Sequence, residues 1–389
     1  MRLYALSDIH CDYAENLEWI RSISDEHRAR DVCLLAGDVS HDLAVLRQCL
    51  ELLTSKFARV FFCPGNHDLW VRSADSVADS YAKLEQILQI CHELGVETRP
   101  ARVTAEVVVV PLHCWYHDAM HADDGPPDNA GGNSPLVGWM DFYNFRAAPR
   151  PPPQTGRQAP IDLGEKLAEA AAIDERFLGR NAPLLAAGGL VESLCAEASD
   201  GGRRRAMVVS FSHFVPRLDL LPPRERLMFK ELGRVSVSAG LDAQIRQIGS
   251  SLHVFGHTHI NCDKTRDSVR YVRGKAFIVR ASLTACPNTL YLRSQVQHPL
   301  KYPKERSMWQ AMGREWFGVA AGSLAYPLYT STAEMVPAPP EGDRGAAAGE
   351  LEGGQCNVEW RQPQAGAPST FAGLRLGAGD ELEDVPSGF

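Results

Sequence analysis

An α/β fold with a mainly parallel sheet is predicted by three features of the chain. The first hundred residues repeat a strand-like then helix-like pattern three times, the joins between them are short, and a polar residue (Asp8, Asp38 or Asn66) stands just beyond each apolar run. In order, Arg2 to Ser7 reads as a strand stopped by Asp8, and Glu15 to His27 carries Leu17, Ile20 and Ile23 at helical spacing. Val32 to Ala36 is a second strand closed by Gly37-Asp38, followed by Leu43, Leu46, Leu50 and Leu53 on one helical face. Val60 to Cys63 ends at Pro64-Gly65, and Val77 to Leu94 is the third helix. Further on, Val107 to Leu112, Met207 to Ser212, Leu252 to Phe255 and Ser268 to Val272 read as strands. Ile161 to Leu178, Leu184 to Ala198 and Leu241 to Ile248 read as helices. In parallel sheets ligands collect beyond the carboxyl ends of the strands, which is where the three polar positions fall.

With 389 residues there is material for one large domain or two small ones. Lys+Arg 40 against Asp+Glu 48 leaves −8, so binding to nucleic acid or an anionic membrane by bulk charge is disfavoured. Ten cysteines without a Cys-x-x-Cys pair suggest free thiols in a reducing compartment. The apolar start is stopped by Asp8, too early for a signal peptide, and no run approaches membrane-spanning length, so a cytoplasmic location is expected. One domain is expected over 1–336, with a loop-rich insertion at about 118–160, and a Pro/Gly/Ala/Glu-rich disordered tail over 337–389.

Five short pieces carry the chemistry: Asp8-Ile-His10, Gly37-Asp38, Gly65-Asn66-His67-Asp68, Ser212-His213 and Gly256-His257-Thr258-His259. Asp8, His10, Asp38, Asn66, His213, His257 and His259 are seven oxygen and imidazole donors, too many for one tetrahedral ion and suited to two ions sharing a carboxylate. In extended chain, alternate residues point the same way, so Asp-x-His and His-x-His can each face one site. The sulfur-free set suits Mn, Fe, Zn, Co or Ni. Two ions about 3.5 to 4 Å apart would clamp a phosphate and generate a hydroxide for in-line attack.

The ordered set resembles the calcineurin-like metallophosphoesterase superfamily, whose pattern is D-x-H, G-D, G-N-H-[DE], H and G-H-x-H. The likeness covers residues 1 to about 115 and 206 to about 272. It implies two packed mixed β-sheets flanked by helices, in place of a single sheet, and two divalent metal ions (Mn, Fe, Zn, Ni or Mg). Carried over by position, it implies that Asp8, His10 and His259 hold one ion, Asn66, His213 and His257 the other, and that Asp38 bridges. His67 resembles the catalytic histidine that protonates the leaving group, and Asp68 its orienting partner. The stretches Gly37-Asp-Val-Ser-His-Asp42 and Pro64-Gly-Asn-His-Asp68 lack the arginines of the serine/threonine protein phosphatases, and His41 stands where purple acid phosphatases carry a metal-binding tyrosine. What remains is the heterogeneous group of small phosphoesterases. In similar bacterial and protist members a strand like Val269 to Val272 runs directly into a segment like Gln297 to Arg306. Here 273–296 intervene, either as an inserted loop or as residues absent from the mature chain.

The expected function is metal-dependent hydrolysis of a phosphate mono- or diester by metal-bound hydroxide. The expected substrate is small and phosphorylated, a nucleotide among the options, without a membrane or a strong nucleic-acid signal. A non-catalytic metal-binding scaffold for partner proteins and a nuclease are the alternatives. Outside the motifs, His41 reads as a helix N-terminal residue, His113 and His117 as part of an aromatic corner or as substrate contacts, and Arg203-Arg204-Arg205 as solvated loop. The aromatic island Trp139 to Phe145 reads as a plug over a hydrophobic groove in preference to a lid.

Overall fold

The computed structural model describes residues 1–72, 75–118, 134–149, 161–196 and 206–273, together with short pieces at 280–281, 290–291, 329–330 and residue 335. The expected tail, the arginine cluster at 203–205 and most of 273–296 lie outside the described residues. Strands β1 (Arg2–Leu6), β2 (Val32–Ala36) and β3 (Arg59–Cys63) alternate with helices α1 (Ala14–Ser22), α2 (Leu43–Lys56) and α3 (Ser80–Glu93). Next come β4 (Ala101–Thr104), β5 (Val107–Pro111), α4 (Asp141–Asn144), α5 (Leu163–Leu185), α6 (Leu190–Ala196) and β6 (Met207–Phe211). The described chain ends with α7 (Ala239–Gln247), β7 (Ser250–Phe255), β8 (Cys262–Arg266), β9 (Val269–Arg273), β10 (Arg280–Ala281), β11 (Leu290–Tyr291) and β12 (Tyr329–Thr330).

These strands make two mixed sheets, ordered β12-β1-β2-β3 and β4-β5-β6-β7-β9-β8, plus a β10-β11 ribbon. The parallel run of β1, β2 and β3 agrees with the βαβ reading. The single sheet suggested by that pattern is replaced by two, because β5 starts a new sheet with β6 and does not add to β3. Between the sheets lie Leu3, Leu34, Phe61, Val107, Val109, Val209, Phe211, Leu252 and Val254. The opposite faces, with Tyr4, Leu35, Phe62, Val108, Val110 and Phe255, pack against the helices. Both faces of each sheet are thus apolar, which explains the near-continuous hydrophobic strands. Burying each such side chain contributes roughly 1.5–3 kcal/mol.

Helix α2 shows why the pattern was readable. Asp42 caps it by accepting from the backbone N–H of Ala44 and Val45, and Leu46, Cys49, Leu50 and Leu53 bury one face. The short strands β4 and β8 were not anticipated; both sit at sheet edges, and β8 alternates buried and exposed residues. Helix α5 runs past the expected Leu178 to Leu185, with Pro183 in its last turn. The reading of Glu15 to His27 as one helix was too long: α1 stops at Ser22 and a separate 3-10 turn covers Asp25–His27.

Candidate metal centre

Strand ends place the polar residues. Asp8, Asp38 and Asn66 follow β1, β2 and β3 in one sheet, while His213 and His257 follow β6 and β7 in the other. Backbone bonds continue past the strands and fasten the turns: Asp8 N to Gly37 O (3.0 Å), His10 N to Asp38 O (3.0 Å) and Gly256 N to His213 O (2.8 Å). Asp8, His10, Asp38, His257 and His259 all have positive φ, between 39° and 69°. Non-glycine residues held there cost of order 1–3 kcal/mol each, and they persist only where the surroundings over-determine them.

The donor atoms converge in overlapping groups: Asp8, His10 and His259; Asp38, His213 and His257; and His10, Asp38 and His67. His10 and His259 bring their Nε2 atoms to 3.3 Å, and His259 Nε2 stands 3.5 Å from Asp8 Oδ1. The Asn66 carboxamide oxygen lies 2.9 Å from His213 Nε2 and 3.1 Å from His257 Nδ1. His213 Nε2 is also 3.3 Å from Asp38 Oδ1. Each of these two imidazoles ties its far nitrogen to a backbone carbonyl, His213 Nδ1 to Ala36 O (2.9 Å) and His257 Nε2 to Val235 O (3.0 Å). That fixes the tautomer in which the inner nitrogen is free to bind a cation.

Electrostatics agree with this fit. Burial lowers the pKa of His10 to about 4 and those of His67 and His257 to about 3, so their rings are neutral, as metal-binding imidazoles are. His213 is the exception: although burial lowers it, Asp38 raises its pKa to about 9, so a proton sits where a cation would. Against the penalty of burial, Arg273, His259 and His213 hold Asp8 well below the usual carboxylate range. Asp8, Asp38, Asp68 and Asp141 are all buried around the cluster, and Asp8 and Asp38 are held ionised, a pair of charges that suits added divalent ions.

Asp68, expected to orient the His67 imidazole, has another job. Its carboxylate accepts the backbone N–H groups of Asp38, Val39, Ser40 and Gly65 at 2.8 to 2.9 Å, joining the turns after β2 and β3. Burial and the Asp38 charge push its pKa up to about 7 against the pull of these donors. It holds His67 in place through the backbone turn. The carboxylate facing the His67 ring is Asp38, 4.0 Å from Nε2, and His67 N donates to Asp38 Oδ1 (3.0 Å). The imidazole stacks on Trp70 with ring centres 3.7 Å apart, its side chain 17% exposed.

The sequence reading missed Asp141, Arg273 and Trp70. Arg273 Nη2 donates to Asp8 Oδ2 (3.1 Å), while Asp141 accepts from Asn66 Nδ2 (2.9 Å), Trp70 Nε1 (2.6 Å) and Trp139 Nε1 (2.9 Å). The signal available for Asp141 was an acid alone within an aromatic island. Phe142 and Phe145 of that island are buried, as the plug reading expects. His113 is partly buried, desolvation lowers its pKa to about 4, and it lies beside Phe177, next to the Trp115–Tyr116 corner. His41 pairs with Asp12 (3.2 Å), and its neighbour Asp42 caps α2.

Two mixed sheets between helices, with acid, amide and imidazole groups at the seam, make an α/β sandwich like that of metallophosphoesterases. The model of the family described as calcineurin-like phosphoesterase matches residues 1–153, the part of the chain that carries Asp8, His10, Asp38, Asn66 and His67. The acyl-carrier-protein phosphodiesterase PptH of Mycobacterium tuberculosis is 31% identical over 137 residues, 33% of this chain and 42% of that relative. The match therefore spans less than half the length of that protein. Among solved structures, the phosphopantetheinyl hydrolase PptH from Mycobacterium tuberculosis gives a TM-score of 0.49 at 23% identity, covering 70% of this chain and 88% of that one. The protein TT1561 of Thermus thermophilus gives 0.37 at 13% identity, covering 70% and 89%.

Proposed function

We propose that this chain is a hydrolase of phosphate esters that works with two divalent metal ions, held by Asp8, His10 and His259 on one side and by Asn66, His213 and His257 on the other, with Asp38 shared. The observation that carries the reading is the buried donor cluster, in which His213 and His257 anchor their outer nitrogens on carbonyls and turn the inner ones to a common centre. When bound, the ions supply Lewis-acid stabilisation of the phosphoryl group and a lowered pKa for attacking water. The protein supplies the rest. Strained turns hold the donors in one geometry. His67, stacked on Trp70 and the more exposed edge of the cluster, faces the substrate side, where an anionic phosphoryl group raises its pKa and lets it protonate the departing oxygen.

The substrate class we favour is a small phosphate mono- or diester, nucleotides included. The relative named as an acyl-carrier-protein phosphodiesterase adds a protein-linked diester to that class. A cytoplasmic setting is supported by eight buried cysteines that are free among the described residues. Among those residues no helix is long and apolar enough to cross a membrane.

The test is hydrolysis of a chromogenic phosphomonoester and phosphodiester by metal-stripped protein reloaded with Mn, Zn, Ni, Mg or Fe, beside Asp38→Ala. Metal-dependent turnover that drops at least about 100-fold in the variant is expected. Stoichiometric metal binding without turnover by any metal would point to the scaffold alternative.

A further inference from the structure

The island between β5 and α5 does more than fill a groove. Asp141 is 3% exposed, and its carboxylate is held by three neutral donors from three places in the chain. Oδ1 accepts from the Asn66 amide (2.9 Å) and the Trp70 indole (2.6 Å), and Oδ2 accepts from the Trp139 indole (2.9 Å). With both carboxyl oxygens already turned to N–H donors, the end of the Asn66 side chain that meets Asp141 is the NH2 group. The carbonyl oxygen then has one direction left, toward His213 and His257. A carboxamide turned the other way would offer two N–H groups to a cation. The same carboxylate fixes Trp70, on which the His67 ring lies, and Trp139, whose ring stands edge-on to His257 at 6.0 Å.

We propose that Asp141 is a positioning residue that sets which end of Asn66 faces the metal centre, so that the island completes the site. The inference rests on the reading of Asn66 as a metal donor. It gives the segment around α4 a role that its buried aromatic residues alone would not require.

The test is equilibrium titration of the metal-free full chain with Mn²⁺, following stoichiometry and affinity, for wild type, Asp141→Ala, Asp141→Leu and the double variant Asn66→Asp with Asp141→Ala. Wild type should bind two equivalents. Removing the acceptor should weaken one of them by about 10- to 100-fold while the other holds, the range seen when an outer hydrogen-bond partner of a ligand is lost. Aspartate at position 66 has oxygen at both ends and needs no orientation, so the double variant should recover the weakened equivalent. A residue that only supported packing would give no such rescue. Should Asp141→Ala fail to melt cooperatively, Asp141→Leu, which fills the space without an acceptor, carries the same readout. Two equivalents bound with unchanged affinity in the single variants, or no recovery in the double variant, would overturn the role given to Asp141. Fewer than two equivalents in wild type would instead overturn the dinuclear reading itself.

Discussion

Gly37 offers a sharp test of how tightly the site is packed. It has φ +77°, and a Cβ added there would lie 2.6 Å from Gly65 N, 2.6 Å from His213 Nδ1 and 2.8 Å from Gly65 Cα. Two of these three neighbours are backbone, in the turn that Asp68 ties down, so they cannot swing aside. For Gly37→Ala, the left-handed conformation costs about 1–2 kcal/mol and the overlap about 1–3 kcal/mol, while the stiffer unfolded chain returns about 0.4–1 kcal/mol. The net loss should be about 1–4.5 kcal/mol. Gly95 is the matched control: its φ is +69°, and a Cβ there would meet nothing within 4 Å. Gly95→Ala should therefore show only strain minus entropy, about 0–1.5 kcal/mol. Urea unfolding of both variants in EDTA, compared at unchanged m, isolates the packing difference. Equal destabilisation by the two substitutions would refute the claim that the turns after β2 and β3 are in unyielding contact.

Two further outcomes concern histidines. His67→Ala should lower turnover by about 100- to 10,000-fold, most for esters with poor leaving groups, and leave Mn²⁺ stoichiometry unchanged; a loss that ignores leaving-group pKa would remove His67 from the acid role. His253 lies buried between Ser210 and Ser212, and burial lowers its pKa from 6.5 to about 3. The unfolded chain then binds the extra proton between those values, so the stability due to the neutral ring is full above pH 6.5 and is lost as pH falls toward 3. His253→Gln in EDTA should flatten the fall between pH 6.5 and 4.5 by about 1.4 kcal/mol per pH unit; parallel slopes in urea unfolding would contradict this.

How much of this was legible in the sequence depends on the range of the interactions. Strands, helices and the Asp42 cap rest on periodicity and near neighbours, so β1, β2, β3 and α2 were visible. The motif residues were visible because each stands at a strand end, and the structure brings Asp8, His10, Asp38, Asn66, His213, His257 and His259 together. The role of Asp68 was misread, since neighbours in sequence do not face one another across a tight turn: its acceptor oxygens reach backbone near residue 40, not the ring next door. Asp141 meets Asn66 across 75 positions, a contact that no local pattern encodes. The split into two sheets was equally invisible to strand-by-strand reading, because β5 has the same apolar face pattern whichever neighbour it pairs with.

The division of the donors between two sheets also bears on cohesion. Asp8, Asp38 and Asn66 ride on one layer and His213 and His257 on the other, so any ligand that bonds to both resists sliding of the layers past one another. Its binding free energy is then added to the native state alone, by mass action. An unfolding event that parts the layers must then release any ligand gripped between them. Slow exchange of the amides in β2, β6 and β7 would thus become a gauge of occupancy, read tens of residues away from the donors in sequence and without any substrate present.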